Sequence, residues 1–230
     1  MLKNFYKKIN TINTEEHKML SMVRKYTSRN SKILDVGCGY GRYLKLLNEN
    51  GYDILGVEQN LQIVEENKKN GFNCISADEF KNSAAKFDLI IFSHIIEHFA
   101  PNELLLFLES YLSKLNNGGH IIIATPLYSN YFYDDFDHIK PYHPLGIQMV
   151  FGQNQAQVKY YATHKLNICD LWFRKAPLVS TYHRAKYIKS FKTRVLQLYD
   201  TIMTICFKLT GGIIGRKDGW VGVFQKVNNA

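Results

Sequence analysis

The chain is poor in several things that would define other classes of protein. It has no run of about 18 uninterrupted apolar residues, which excludes a hydrophobic membrane-spanning helix. Its opening stretch, MLKNFYKKINTINTEEHKML, lacks the continuous apolar core of a secretory signal. Cysteine is scarce: Cys38, Cys74, Cys169 and Cys206 stand far apart, with no C-x-x-C pair and no histidine at metal-ligand spacing. A zinc knuckle and a disulfide framework are therefore excluded, no metal centre is predicted, and a reducing compartment fits. There is neither an internal repeat nor a low-complexity linker. Together these features predict a cytoplasmic protein.

What is present suits one globular domain over 1–230. The 230 residues are 46% hydrophobic and 13% aromatic, enough to bury a sizeable core. Lys and Arg outnumber Asp and Glu by 29 to 20, a net charge of +9. That excess is not spread evenly: residues 1–31 carry +5, 32–130 carry −4, 131–174 are neutral, and 175–230 carry +8. An acidic middle between basic flanks is not a nucleic-acid platform, whatever the total.

The middle reads as alternating strands and helices. Thr14 is placed to cap a helix over 14–28, with Glu15 and Glu16 in its first turn. Then come Lys32–Val36 as a buried strand, a glycine turn, a helix over Arg42–Asn50, a strand Asp53–Glu58, a helix Leu61–Asn70, and strands Phe72–Ser76 and Phe87–Phe92. A helix Asn102–Leu115, stopped by Asn117-Gly118-Gly119, leads to a strand His120–Ala124. Leu166–Phe173 and Trp220–Val227 read as late strands, with an amphipathic helix over roughly 194–209 between them. This alternation predicts βαβ units, a parallel sheet covered by helices on both faces, and ligand binding at the strands' carboxyl ends.

Polar landmarks fall at those ends. Asp35-Val-Gly37-Cys-Gly39-Tyr-Gly41 opens a helix directly after a strand, but Arg42 stands where a dinucleotide fingerprint wants its third glycine, so a pyrophosphate cradle is not indicated. Glu58 closes the second strand, where a carboxylate can accept both hydroxyls of a ribose, and Asp78 follows the third, able to accept from an exocyclic amine. Ser93-His94-Ile-Ile-Glu97-His98 follows the fourth.

In that order and spacing the sequence resembles the class I S-adenosylmethionine-dependent methyltransferases, in the small-molecule branch that includes quinone-biosynthesis and bacterial surface-polysaccharide enzymes. ILDVGCGYGRYL is similar to that family's first motif, GVEQN to its ribose motif, SADEF to its adenine motif, and FDLIIFSHIIEHF and LNNGGHIIIATP to its fourth and fifth. The resemblance implies a Rossmann-like seven-stranded, mostly parallel sheet with an antiparallel last strand, and an S-adenosylmethionine-binding core over 31–127 behind a helical cap, 1–30. It implies that Gly37, Gly39 and Gly41 line the methionine moiety, that Asp35 supports its ammonium, and that Glu58 grips the ribose, although Asp is at least as common there. Gln59 would border the adenine, with Asp78 and Glu79 at its amino group, and Ser93 and His94 would line the sulfonium pocket. S-adenosylhomocysteine would be the product.

The acceptor side stays open. Residues 128–161 form the expected acceptor insertion, and Tyr131-Phe-Tyr-Asp-Asp-Phe-Asp-His138-Ile-Lys-Pro-Tyr-His143 resembles the D-H-x-[RK]-P-[YF] element of surface-glycan methyltransferases. Rings there would face a sugar's C–H side while Asp and His take its hydroxyls, or the rings would simply pack on the sheet. His94, His98, His138 and His143 are the candidates to meet the acceptor, and of these His138, His143 and His98 are the expected bases, with a structural role as the alternative for His98. A magnesium site of Asp134, Asp135, Asp137 and His138 is the less favoured reading. The basic segment, with Arg184, Lys186, Lys189, Lys192 and Arg194 among Tyr182, Tyr187 and Phe191, would meet phosphates, an anionic membrane, RNA, or only water. The expected activity is O-methylation of a sugar-type or phosphorylated precursor of capsule or lipopolysaccharide. A quinone or lipid methyltransferase, an RNA methyltransferase and a catalytically silent partner subunit are the alternatives. The expected partners are an anionic or carbohydrate-like small molecule, peripheral membrane contact through 174–217, and a second copy of the chain.

Overall fold

The computed structural model describes residues 14–129, 131–152, 159–179 and 187–227; of the basic segment, Tyr182, Arg184 and Lys186 lie outside them, as do residues 1–13 of the helical cap. Helix α1 (Glu15–Tyr26) starts where Thr14 accepts the His17 amide, and it buries Met19, Met22 and Val23. Strand β1 (Lys32–Val36) is an apolar run whose last four side chains are buried, as a strand covered on both faces requires. Helix α2 (Arg42–Glu49), β2 (Asp53–Glu58), α3 (Leu61–Lys69), β3 (Cys74–Ser76), α4 (Ala77–Lys81), β4 (Phe87–Ser93), α5 (Pro101–Leu112) and β5 (Leu115–Pro126) complete the alternation.

Helix α6 (Pro144–Phe151), β6 (Lys165–Ala176), α7 (Phe191–Leu209) and β7 (Arg216–Val227) follow. One seven-stranded sheet results, in the order β3-β2-β1-β4-β5-β7-β6. The first five strands pair in parallel, and β7 runs antiparallel to both β5 and β6. The sheet is the Rossmann-like arrangement expected, with its order reversing at β1 and β4, so the carboxyl ends of those strands flank a crevice. Hydrophobic side chains pack on both faces, around Leu34, Ile90 and Trp220 on one side and Ile33, Leu89 and Val223 on the other.

Several boundaries differ from expectation. Strand β3 is confined to Cys74–Ser76, and the residues after it turn at once into α4, because Ser76 and Glu79 form a reciprocal capping box. Helix α5 ends at Leu112 and not at Leu115, since Leu115 already pairs with Phe87. The asparagine and glycine run behind it belongs to β5, at an irregularity in the ladder where Gly118 takes φ +75°. Helix α7 forms as expected, but Val195, Leu198, Ile202, Ile205 and Leu209 lie exposed and do not pack on the sheet. Among the described residues, no helix is long and apolar enough to cross a membrane.

Candidate active site

The glycine turn after β1 is shaped by its neighbours. Gly37 and Gly41 take φ +66° and +76°, and a Cβ would lie 2.5 Å from Ile95 Cδ1 at the first and 2.7 Å from Asn67 Oδ1 at the second. Packing and backbone both demand glycine there. Gly39 is different: φ is +51°, but nothing lies within 4 Å of the place a Cβ would occupy. Its amide donates to Glu58 Oε2 at 3.0 Å, and Glu58 Oε1 accepts from the amides of Gln59 (2.8 Å) and Asn60 (2.9 Å). Three backbone donors thus fix the carboxylate at the end of β2, and its remaining lone pairs stay available to hydroxyl donors.

Asp35 lies just behind this turn, 1% exposed, with Oδ2 buried and without a hydrogen bond. Burial first, and then the nearby charge of Glu58, push its pKa up to about 8. A cation brought to this end of the sheet would supply the missing partner, and the ammonium of a methionine moiety has that chemistry. The open space at Gly39 and the oriented Glu58 suit the rest of a nucleoside ligand. On the far side of Glu58, Gln59, Asp78, Ala77 and Phe99 line a cleft of about 740 Å³. Asp78 is exposed and paired with Lys81 at 2.8 Å, whose charge holds the carboxyl below its ordinary range. Glu79 is engaged within its own helix, where its Oε2 accepts the Ser76 amide at 2.8 Å and closes the capping box. Of the three residues expected at the adenine end, Gln59 and Asp78 line this cleft, whereas Glu79 is committed to its own helix.

At the end of β4, Ser93 is followed by His94, the one non-glycine residue with positive φ (+53°) among the described residues. Its amide donates to Ala124 O at 2.7 Å. The imidazole is clamped between two carboxylates, Nε2 lying 3.0 Å from Glu15 Oε1 and Nδ1 3.4 Å from Glu97 Oε1. Glu15 also accepts from Tyr43 Oη (3.0 Å) and Arg174 (2.6 Å), and Arg174 reaches Asp218 at 3.0 Å. Burial alone would raise the Glu15 pKa, but His94, Arg174 and Tyr43 outweigh it and bring it down to about 2. Burial likewise pulls His94 down, yet Glu15 and Glu97 raise it to about 9. At neutral pH the ring is an imidazolium with both nitrogens engaged. Sequence reasoning does not single out Glu15, Tyr43 or Arg174 for the site.

A second group converges beside it. The amides of Ile139 and Lys140 donate to Glu97 O at 2.9 and 3.1 Å, which seats the loop after β5 against the turn after β4. Thr125 Oγ1 donates to Glu97 Oε2 at 2.9 Å, while the buried Glu97 Oε1 makes no hydrogen bond and meets the His94 ring only as an ion pair at 3.4 Å. His98 Nδ1 lies 3.1 Å from Asp137 O and His138 Nδ1 lies 2.7 Å from Phe132 O. Because a carbonyl only accepts, both Nδ1 atoms carry a proton, so that in the neutral ring the lone pair stands on Nε2. One ligand atom each from Glu97, His98 and His138 lies within 4.8 Å of the others. This trio is where a divalent cation could sit. The magnesium reading draws on the acidic run, where Asp135 comes within 3.6 Å of His138 but Asp134, Asp135 and Asp137 are exposed. His143 caps α6, its Nδ1 accepting the Leu145 amide at 3.3 Å, and stands outside the trio.

The sheet order, with β7 antiparallel between β5 and β6, and the glycine turn after β1 are those of a Rossmann-like methyltransferase fold. Comparison with known proteins is consistent: residues 13–168 match the methyltransferase domain family. The chain belongs to that family. It is 30% identical over 106 residues to the mitochondrial ubiquinone biosynthesis O-methyltransferase of Rattus norvegicus, covering 41% of this chain and 30% of that one. It is 27% identical over 104 residues to the ubiquinone biosynthesis O-methyltransferase of Bartonella tribocorum, covering 42% and 41%. The match thus spans less than half of either relative. Among solved structures, a SAM-dependent methyltransferase from Archaeoglobus fulgidus superimposes with a TM-score of 0.58 at 21% identity, over 96% of this chain and 99% of that one. Coclaurine N-methyltransferase bound to N-methylheliamine and SAH superimposes with a TM-score of 0.55 at 12% identity, over 92% and 72%.

Proposed function

We propose that the chain transfers the methyl group of S-adenosylmethionine to a hydroxyl oxygen of a sugar-type or phosphorylated small molecule, a precursor of a bacterial surface polysaccharide. The observation that carries this reading is the convergence of Glu97, His98 and His138 beside the sulfonium end of the cofactor site. The bound donor supplies a methyl group already activated by the sulfonium charge. The chain's own residues then have to bring an acceptor oxygen in line with it, exclude water and remove a proton. Asp35, Glu58 and Asp78 hold the ammonium, ribose and adenine ends. His138 Nε2, or His98 Nε2 beside it, takes the acceptor's proton as the O–CH3 bond forms and the S–CH3 bond breaks, its electron pair staying on sulfur to leave the neutral thioether S-adenosylhomocysteine. A divalent cation on the trio would serve the same end by lowering the hydroxyl's pKa, with Thr125 fixing the Glu97 carboxylate. His94 is a positioning residue, because neither of its nitrogens is free to meet an acceptor.

The loop after β5 supports a polar acceptor. Tyr128 and Tyr133 are exposed and their rings lie edge to face, with Asp134, Asp135 and Asp137 alongside. Flat rings with hydrogen-bonding acids suit a sugar. A quinone or lipid acceptor is the second reading, favoured by the names of the curated relatives. An RNA acceptor and a catalytically silent subunit find no such support. The test is methyl transfer from S-adenosylmethionine to nucleotide sugars, glycosyl phosphates, hydroxylated quinone precursors and RNA. Transfer to the sugar compounds, sharply reduced in His138→Ala, is the expected result. Transfer to the quinone precursors alone would replace the acceptor assignment, and failure to bind the donor would overturn the enzyme itself.

A further inference from the structure

Helix α7 presents to solvent the face that an amphipathic helix normally hides. Phe191, Val195, Leu198, Ile202, Ile205 and Leu209 recur at steps of three and four, which places them in one stripe along the whole helix. Each is at least 50% exposed, and Phe191 reaches 83%. The opposite side turns toward the protein: Thr193 is buried, and Phe207 packs near Gly212 and Gly215 behind β6 and β7. Ile213, 78% exposed, extends the stripe past the helix end. Outward apolar surface on this scale marks an interaction site.

The charges around the stripe say what covers it. Lys192, Arg194 and Lys208 are exposed on the same helix beside it, and the exposed Lys189 precedes its first turn. The acids of residues 175–230 are Asp200 and Asp218, and Asp218 is occupied by Arg174. An apolar stripe flanked by cations is complementary to the interface of a bilayer carrying anionic headgroups, where the side chains enter the acyl boundary and the cations stay among phosphates. With Lys192, Arg194, Asp200 and Lys208 within it, the helix lies along such a surface and does not cross it. A second copy of the chain would bring like charges together around the same stripe.

We propose that α7 is an interfacial anchor that holds the enzyme on an anionic membrane surface. The proposal goes beyond the acceptor assignment and stands independently of it. It is tested by co-sedimentation of the full chain with vesicles of phosphatidylglycerol mixed with phosphatidylcholine, against phosphatidylcholine alone. Binding should favour the anionic vesicles and weaken as salt is raised. The double variant Leu198→Glu/Ile202→Glu should lose partitioning by more than about tenfold while its melting temperature is unchanged, because these side chains are exposed in the folded protein. Lys192→Gln/Arg194→Gln should weaken binding to anionic vesicles alone. The proposal is overturned if the parent protein ignores anionic vesicles or if the Glu variant binds as well as the parent. It is equally overturned if that variant melts at a clearly lower temperature, which would mean the stripe is covered within the protein. A dimer that dissociates on the same substitution, with no vesicle binding, would assign the stripe to a second copy.

Discussion

Replacing Glu15 by Gln removes the carboxylate that ties the first helix to the end of β4 and to β6. Glu15 is 6% exposed and accepts from His94, Arg174 and Tyr43. The fall of its pKa from 4.5 to about 2 corresponds, at ~1.36 kcal/mol per pH unit, to about 3 kcal/mol of stability. The raised pKa of His94 reports part of the same interaction and is not added to it. A loss of about 3 kcal/mol is also the lower end of what removing one partner from a buried ion pair costs, and it lowers the melting temperature of a chain this size by about 6–12 °C. The pH dependence carries the sharper test. A depressed carboxyl contributes fully above its ordinary pKa, so the Glu15 contribution is complete above pH 4.5 and is lost as pH falls toward about 2. A raised imidazole contributes fully below 6.5 and loses its contribution as pH rises through about 9. The gap between parent and Glu15→Gln should therefore be widest from about pH 4.5 to 6.5 and narrow toward pH 9 by the share His94 holds. Urea unfolding of both proteins across this range measures it. A gap below about 0.5 kcal/mol at pH 6, or one that stays level from pH 6 to pH 10, would refute the described cluster.

Other outcomes follow from the site. Gly39→Val should fold, because no atom occupies the space its side chain needs, at a cost of about 1–2 kcal/mol for a β-branched residue at positive φ; its affinity for S-adenosylmethionine by calorimetry should fall at least about tenfold. Glu58→Ala should lose donor binding as well, and parent-like affinity in that variant would remove the ribose assignment. His98→Ala and His138→Ala should keep donor affinity, and the one that removes the base should lower kcat by about 10²–10⁴. If the trio holds a cation, Mn2+ binding followed by electron paramagnetic resonance should weaken in both variants, whereas silence in the parent protein leaves the imidazoles as bases alone.

The path from residues to structure is clearest where the physics is local or repetitive. Lys32–Val36, Asp53–Glu58 and Phe87–Ser93 are apolar runs bounded by turns, and they form strands at or within one residue of the expected ends. The glycine turn and Glu58 are legible for the same reason, since their relation is fixed by one strand, turn and helix. Glu15 is not. An acid in a first turn ordinarily serves the helix dipole in water, and its burial depends on His94 and Arg174, which lie 79 and 159 positions away. Glu79 reads as a ligand contact in the sequence, although Ser76 three residues earlier offers the capping box that claims it. His138 stands out by its motif, but its partnership with Glu97 depends on the loop amides at 139 and 140, which no spacing in the sequence reveals. The outward stripe of α7 shows the limit of periodicity: it gives the angular position of apolar residues around a helix, not which way that side turns.

The placement of β7 bears on how the molecule is made. Residues 216–227 run between β5 and β6, so the strand of this sheet that comes last in sequence is an inner member of it. Until it emerges, β5 has an open hydrogen-bonding edge lined by Ile121, Ile122 and Ile123, and β6 has no neighbour to join. A nascent chain can therefore assemble its five parallel strands early, but it exposes an adhesive strand through the whole interval in which α7 is being made. A chain ending short of residue 216 would retain that edge permanently, with aggregation as its characteristic failure.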